Sequence, residues 1–178
     1  MTPSTVTTTR IAAANRLLTA SIQPIAIPLW YGCEVPGVDR GALVLRDGLQ
    51  LRWISPQYSG LRDRLRPAIT IPVAEEEAAR ERIDQRNMTF KSAIDDANAD
   101  LANAVDTAIQ HGHLALTLGG DHAVAMGSIG GGARHAANLG VLWIDTHPDL
   151  NTPESSFSGH IHGMPLGTAI GLAPESMR

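Results

Sequence analysis

Between Phe90 and Ile144 the hydrophobic pattern changes period twice, and this restricts the fold more than any other stretch of the chain. Phe90, Ile94, Ala97, Leu101, Val105 and Ile109 recur every three or four residues, with Asp95, Asp96, Asn98 and Asp106 between them. That spacing places the apolar side chains in one stripe and predicts an amphipathic helix stopping near Gly112. Leu114 to Leu118 then form a short, largely apolar run broken by Gly119 and Gly120. Val141, Leu142, Trp143 and Ile144 form a second run, bounded by Gly140 and Asp145. Unalternating runs of this length suit strands buried on both faces, as parallel strands between helices are. Residues 123–137 between them have helical composition, ended or interrupted by Gly130, Gly131 and Gly132, and Asp121 stands where a helix N-cap would. Strand, helix, strand in this order predicts a layered α/β fold.

The earlier chain is less regular. Ile22, Ile25, Ala26, Ile27, Leu29 and Trp30 read as a buried strand, with Pro24 and Pro28 arguing for an edge position or a late start. Residues 40–49 read as a short helix closed by Gly48. Ile69, Ile71 and Val73, among Pro67 and Pro72, read as a second strand, and residues 75–77 as the acidic start of a helix. Residues 1–10 carry six Thr or Ser, so residues 1–20 are expected to be a poorly ordered leader before a single domain over 21–178. With 178 residues, 43% hydrophobic and 18% charged, one domain is expected.

A single cysteine, Cys33, excludes an internal disulfide and, with no secretory signal pattern, implies a reducing, cytoplasmic setting and a structural thiol. No stretch approaches the roughly 20 apolar residues of a membrane span. The net charge is −4 and the arginines are scattered, which argues against nucleic acid as a partner.

Polar residues that serve function collect beyond the carboxyl ends of strands in such folds. The first run ends in Gly119-Gly120-Asp121-His122 and the second in Asp145-Thr146-His147-Pro148-Asp149. Residues two apart in extended chain share a side, so Asp145, His147 and Asp149 can converge, with His122 reaching the same point. Carboxylates and imidazoles so gathered suit a divalent first-row metal such as manganese. Without a cation they would suffer desolvation and repulsion. Taken alone, His122 also reads as a loop histidine, and Asp121 as a capping acid. Asn151, Ser156 and Ser158 read equally as turn residues. His111, His113 and His135 read as surface or capping residues.

Leu118-Gly119-Gly120-Asp121-His122, then Trp143-Ile144-Asp145-Thr146-His147-Pro148-Asp149-Leu150-Asn151-Thr152-Pro153, then Ser158-Gly159-His160-Ile161-His162-Gly163-Met164-Pro165 resemble the arginase (ureohydrolase) family. Gly37-Val38-Asp39-Arg40-Gly41 resembles its early segment. The resemblance implies a three-layer α/β/α fold with a mainly parallel sheet. It implies two manganese ions, one held by His122 and Asp149, the other by His147, with Asp145 bridging. It further implies Asn151, Ser156 and Ser158 on the substrate's α-carboxylate, His160 in the substrate loop, and His162 in proton transfer, with Asp149 also catalytic. The implied reaction is hydrolysis of L-arginine to L-ornithine and urea, in a trimer or hexamer. Two cations together make water a nucleophile near neutral pH, as an unreactive guanidinium carbon requires.

Three residues depart from the family pattern: Thr146 replaces Ala, Ala123 replaces Ser, and His160 replaces the Asn usual in arginases. His160 opens the alternative of another guanidino substrate, of agmatinase or guanidinobutyrase type. The family's later Ser-X-Asp-X-Asp motif, which supplies two further ligands, has no counterpart here, since residues 92–96 fall within the amphipathic helix. The chain is thus expected to be the amino-terminal part of such a fold, truncated at its carboxyl end, with four of six ligands, weak manganese binding and little or no urea release. A catalytically inactive metal-binding remnant is the other alternative.

Overall fold

Hydrophobic runs in this chain condense on one central strand. The computed structural model describes residues 18–50, 58–80, 88 and 90–175; all but residues 18–20 of the expected leader lie outside them. Strand β1 (Ile22–Ile27) is flanked by β2 (Ile69–Thr70) and β3 (Leu114–Gly119) in a parallel sheet of order β2-β1-β3. The β1/β3 register runs from Ile22 opposite Leu114 to Ile27 opposite Gly119. Around it lie α1 (Asp39–Gln50), α2 (Ser59–Arg62), α3 (Glu76–Arg80), α4 (Lys91–Gln110), α5 (Ala125–Ala133) and α6 (Pro165–Ala169). Single 3-10 turns cover His122–Val124 and Ile161–Gly163.

Neither the edge position nor the late start expected for the first strand is found: β1 is central and begins at Ile22, ahead of Pro24. In parallel pairing, alternate residues bond to opposite neighbours. Ile22 and Ala26 bond toward the β2 side, through Ile22 N–H to the Arg64 carbonyl and Ile71 N–H to the Ala26 carbonyl. Pro24, between them, faces that same side, where the ladder breaks between the Ile22–Leu65 bridge and β2. Its missing N–H therefore costs no ladder bond. The Gln23 amide spans the gap by donating to the carbonyl of Pro67 at 2.8 Å.

β1 is covered on both faces. Ile25 and Ile27 join Phe90, Ile94, Leu101 and Val105 of the α4 stripe in the main core. Ala26, which alternation turns the other way, is also fully buried. Both α1 and α4 pack on β1 and β3, which gives the helix, sheet, helix layering. α4 meets α5 through a buried polar clasp. The Asn98 side chain donates to the Ile94 carbonyl at 3.0 Å and accepts from Gly127 N–H at 2.8 Å. Asn98→Ala would strand the Gly127 amide, and urea denaturation should show a loss of about 1–3 kcal/mol.

The second apolar run corrects the sequence reading most. Residues 141–144 form no strand, and Leu142 and Ile144 are 85% and 87% exposed. A strand exists only where a neighbour satisfies its backbone, and no described segment pairs with this one. Trp143 instead stacks on His122, with ring centroids 4.6 Å apart, and its indole N–H donates to the His147 carbonyl. A cleft of about 590 Å³ separates residues 141–144 from β3. One smaller reading also shifts, since Gly48 lies within α1, whereas α5 ends at Ala133, directly after Gly130–Gly132.

Candidate metal centre

Beyond the end of β3 the chain turns sharply, and that turn presents His122. Asp121 starts the turn as a cap, its Oδ1 accepting from Ala123 N–H at 2.8 Å. From the other side Asp145 is held by its own loop, with Oδ1 accepting from His147 N–H at 3.0 Å. Asp149 adopts the left-handed region, φ 46°, and its carbonyl accepts from Gly167 N–H at the start of α6. These local bonds bring three side chains together. His122 Nδ1 lies 3.0 Å from Asp145 Oδ2 and 2.8 Å from Asp149 Oδ2. One ligand atom from each lies within 4.8 Å of the others.

The donor set suits a divalent cation. Neighbouring ligands around an octahedral ion, each at about 2.1 Å, stand about 3 Å apart. The two nitrogen to oxygen distances here have that spacing. Two ionised carboxylates beside one imidazole leave net negative charge even with the imidazole protonated, and a cation relieves it. The carboxylates are unlike. Burial pushes the Asp149 carboxyl up, whereas the His147 amide chiefly holds that of Asp145 below the usual range.

The other residues expected at the site, His147, Asn151, Ser156, Ser158, His160 and His162, follow along the same stretch of chain. His147 stands off with its side chain 79% exposed and its Nδ1 4.0 Å from Asp145 Oδ1. His162 is anchored on the loop after β1, with Nδ1 2.9 Å from the Gly32 carbonyl, and its ring is near enough to Asp149 to favour the carboxylate form. His160 lies beside it, ring centroids 5.8 Å apart, with Nε2 3.9 Å from Glu34 Oε1. Asn151 is joined to the same loop by its N–H, which donates to the Gly163 carbonyl. Ser156 and Ser158 accept from the amides of Gly159 and His160, which leaves their hydroxyl hydrogens available to an anion. Sequence reasoning missed Gly32 and Glu34, which reach the site from the loop after β1. It also missed Trp143, taken there as a strand residue. Gly32 and Glu34 fall in the stretch 31–37, where Gly32 and Pro36 mark only the end of the first apolar run.

Burial raises the Cys33 thiol pKa, and its Sγ lies 3.3 Å from the Trp30 carbonyl.

A parallel sheet whose strand end and following loops gather an imidazole and two carboxylates defines an α/β protein with a candidate metal centre. Within that class the Arginase family model matches residues 27–177, and the chain belongs to the arginase family. It is 39% identical over 163 residues to the arginase of Bacillus caldovelox, covering 88% of this chain and 50% of that one. With the Bacillus subtilis arginase it shares 36% over 157 residues, again covering 88% and 50%. The solved Bacillus caldovelox arginase superposes with a TM-score of 0.74 at 34% identity, over 89% of this chain and 51% of that chain. The chain thus spans about half the length of the relatives it resembles.

Proposed function

We propose that the chain carries part of the active site of a manganese-dependent hydrolase of guanidino compounds, with L-arginine as substrate and L-ornithine and urea as products. The convergence of His122 Nδ1 with the Asp145 and Asp149 carboxylates carries this reading. His122, Asp145 and Asp149 would hold one divalent ion, and His147, from the exposed side of Asp145, would contribute to a second. When bound, such ions supply the activation of water for attack on the guanidinium carbon.

The chain's own residues handle the substrate and its protons. The free hydroxyl hydrogens of Ser156 and Ser158, with the Asn151 amide, offer donors for the α-carboxylate. His162 uses Nδ1 to hold the Gly32 carbonyl, so Nε2 is left to carry a proton toward the leaving amine. Glu34 and His160 stand together at the rim and would meet the substrate's α-amino end.

The test combines electron paramagnetic resonance of bound Mn²⁺ with urea release from L-arginine, agmatine and 4-guanidinobutyrate. Mn²⁺ bound to the folded chain is expected, with slow urea release from the chain alone and arginine preferred. A folded chain that binds no Mn²⁺ would overturn the metal reading. Turnover of agmatine with arginine untouched would overturn the substrate.

A further inference from the structure

Asp121 is not among the residues proposed above to hold metal or substrate, yet with Asp149 it is one of two buried acids among the described residues, 5% exposed. Its two oxygens are used separately. Oδ1 accepts from Ala123 N–H and caps the turn that presents His122, while Oδ2 accepts from Gly32 N–H at 2.8 Å, across 89 residues of sequence. The loops are locked face to face there. A Cβ at Gly32 would lie 2.5 Å from Asp121 Oδ1 and 2.8 Å from the Ala123 Cβ, so only glycine fits.

Gly32 then passes the restraint on. Its carbonyl accepts two bonds from one residue, the His162 backbone N–H at 3.1 Å and His162 Nδ1 at 2.9 Å. A carbonyl oxygen only accepts, so Nδ1 must carry the proton in this arrangement. Glycine is the residue whose backbone wanders most freely. Holding its N–H with a buried carboxylate removes that freedom next to the carbonyl that orients the imidazole.

We propose that Asp121 is a positioning residue for His162: through the Gly32 peptide it holds the imidazole as the Nδ1–H tautomer and leaves Nε2 unprotonated for proton transfer. The proton-transfer role rests on the function proposed above. The tautomer lock does not, because it requires neither metal nor substrate.

The experiment is imidazole ¹⁵N NMR of the full chain at about pH 8.5, where imidazole is neutral. The His162 signals are assigned by comparison with His162→Gln. In the unaltered chain, two well-separated nitrogen shifts are expected, with the protonated type at Nδ1. In Asp121→Asn the Oδ1 atom still caps Ala123, but an amide N–H now opposes Gly32 N–H. Asp121→Ser keeps a capping hydroxyl and falls short of Gly32. In either variant the two shifts should move together as tautomers mix, with the circular dichroism of the folded chain retained.

Mixed or Nε2–H shifts in the unaltered chain would overturn the lock, as would unchanged shifts in a folded variant. If both variants fail to fold, the tautomer in the unaltered chain still decides. Failure of the catalytic reading is seen elsewhere, as urea release unaffected by His162→Gln although the unaltered chain shows the locked tautomer.

Discussion

Gly120→Ala should lower the unfolding free energy by about 3 kcal/mol or more. A Cβ built on Gly120 would sit 2.0 Å from the Leu29 carbonyl oxygen and 3.1 Å from the Asp39 Cα. Both obstacles are backbone, so no side-chain rotation relieves them. The turn would have to lift away from β1, breaking the bonds from Gly120 N–H to the Ile27 carbonyl and from Asp121 N–H to the Leu29 carbonyl. In a domain of this size that corresponds to a melting temperature lower by roughly 6–12 °C, read by calorimetry. Gly132→Ala is the internal contrast. Nothing lies within 4 Å of its Cβ position, and alanine within α5 should raise stability by up to about 1 kcal/mol. Equal losses at both glycines would contradict the close packing of the β3 turn against the loop after β1.

The second large effect concerns the metal. Asp149→Asn should weaken Mn²⁺ binding by on the order of 100-fold, since even groups that only support a ligand contribute 10- to 100-fold. His147→Asn should change it by less than about tenfold, because the ring stands outside the three-residue group and the loop bond to Asp145 comes from the backbone. Isothermal titration with MnCl₂ separates the two. A stronger effect at His147 than at Asp149 would show that the ion sits elsewhere.

Much of this arrangement was legible before the structure. The α4 stripe, the Leu114 to Leu118 run and the Asp121 cap follow from periodicity and from local side-chain bonding, both of which act within a few residues. The central place of β1 was hidden because Pro24 reads as an edge signal. Only the break in pairing beside Pro67, more than 40 residues away, makes it harmless. Residues 141–144 misled in the opposite direction. Four apolar residues record a preference for burial, but a ladder needs a neighbour, and periodicity says nothing of whether one is there. The approach of Gly32 and Glu34 to the site was invisible for the same reason: contacts across 89 to 130 residues leave no local trace.

The cleft beside β3 has a bearing on how the molecule behaves in concentrated solution. Leu114–Gly119 contains no charged or proline residue, and Leu142 and Ile144 stand bare across the gap. Natural sheets discourage sticky borders with lysine, proline or a covering helix, and none of these guards this one among the described residues. Left unguarded, such a border recruits extended peptide from whatever chain is nearest, so crowding alone would drive these molecules toward ordered clumping.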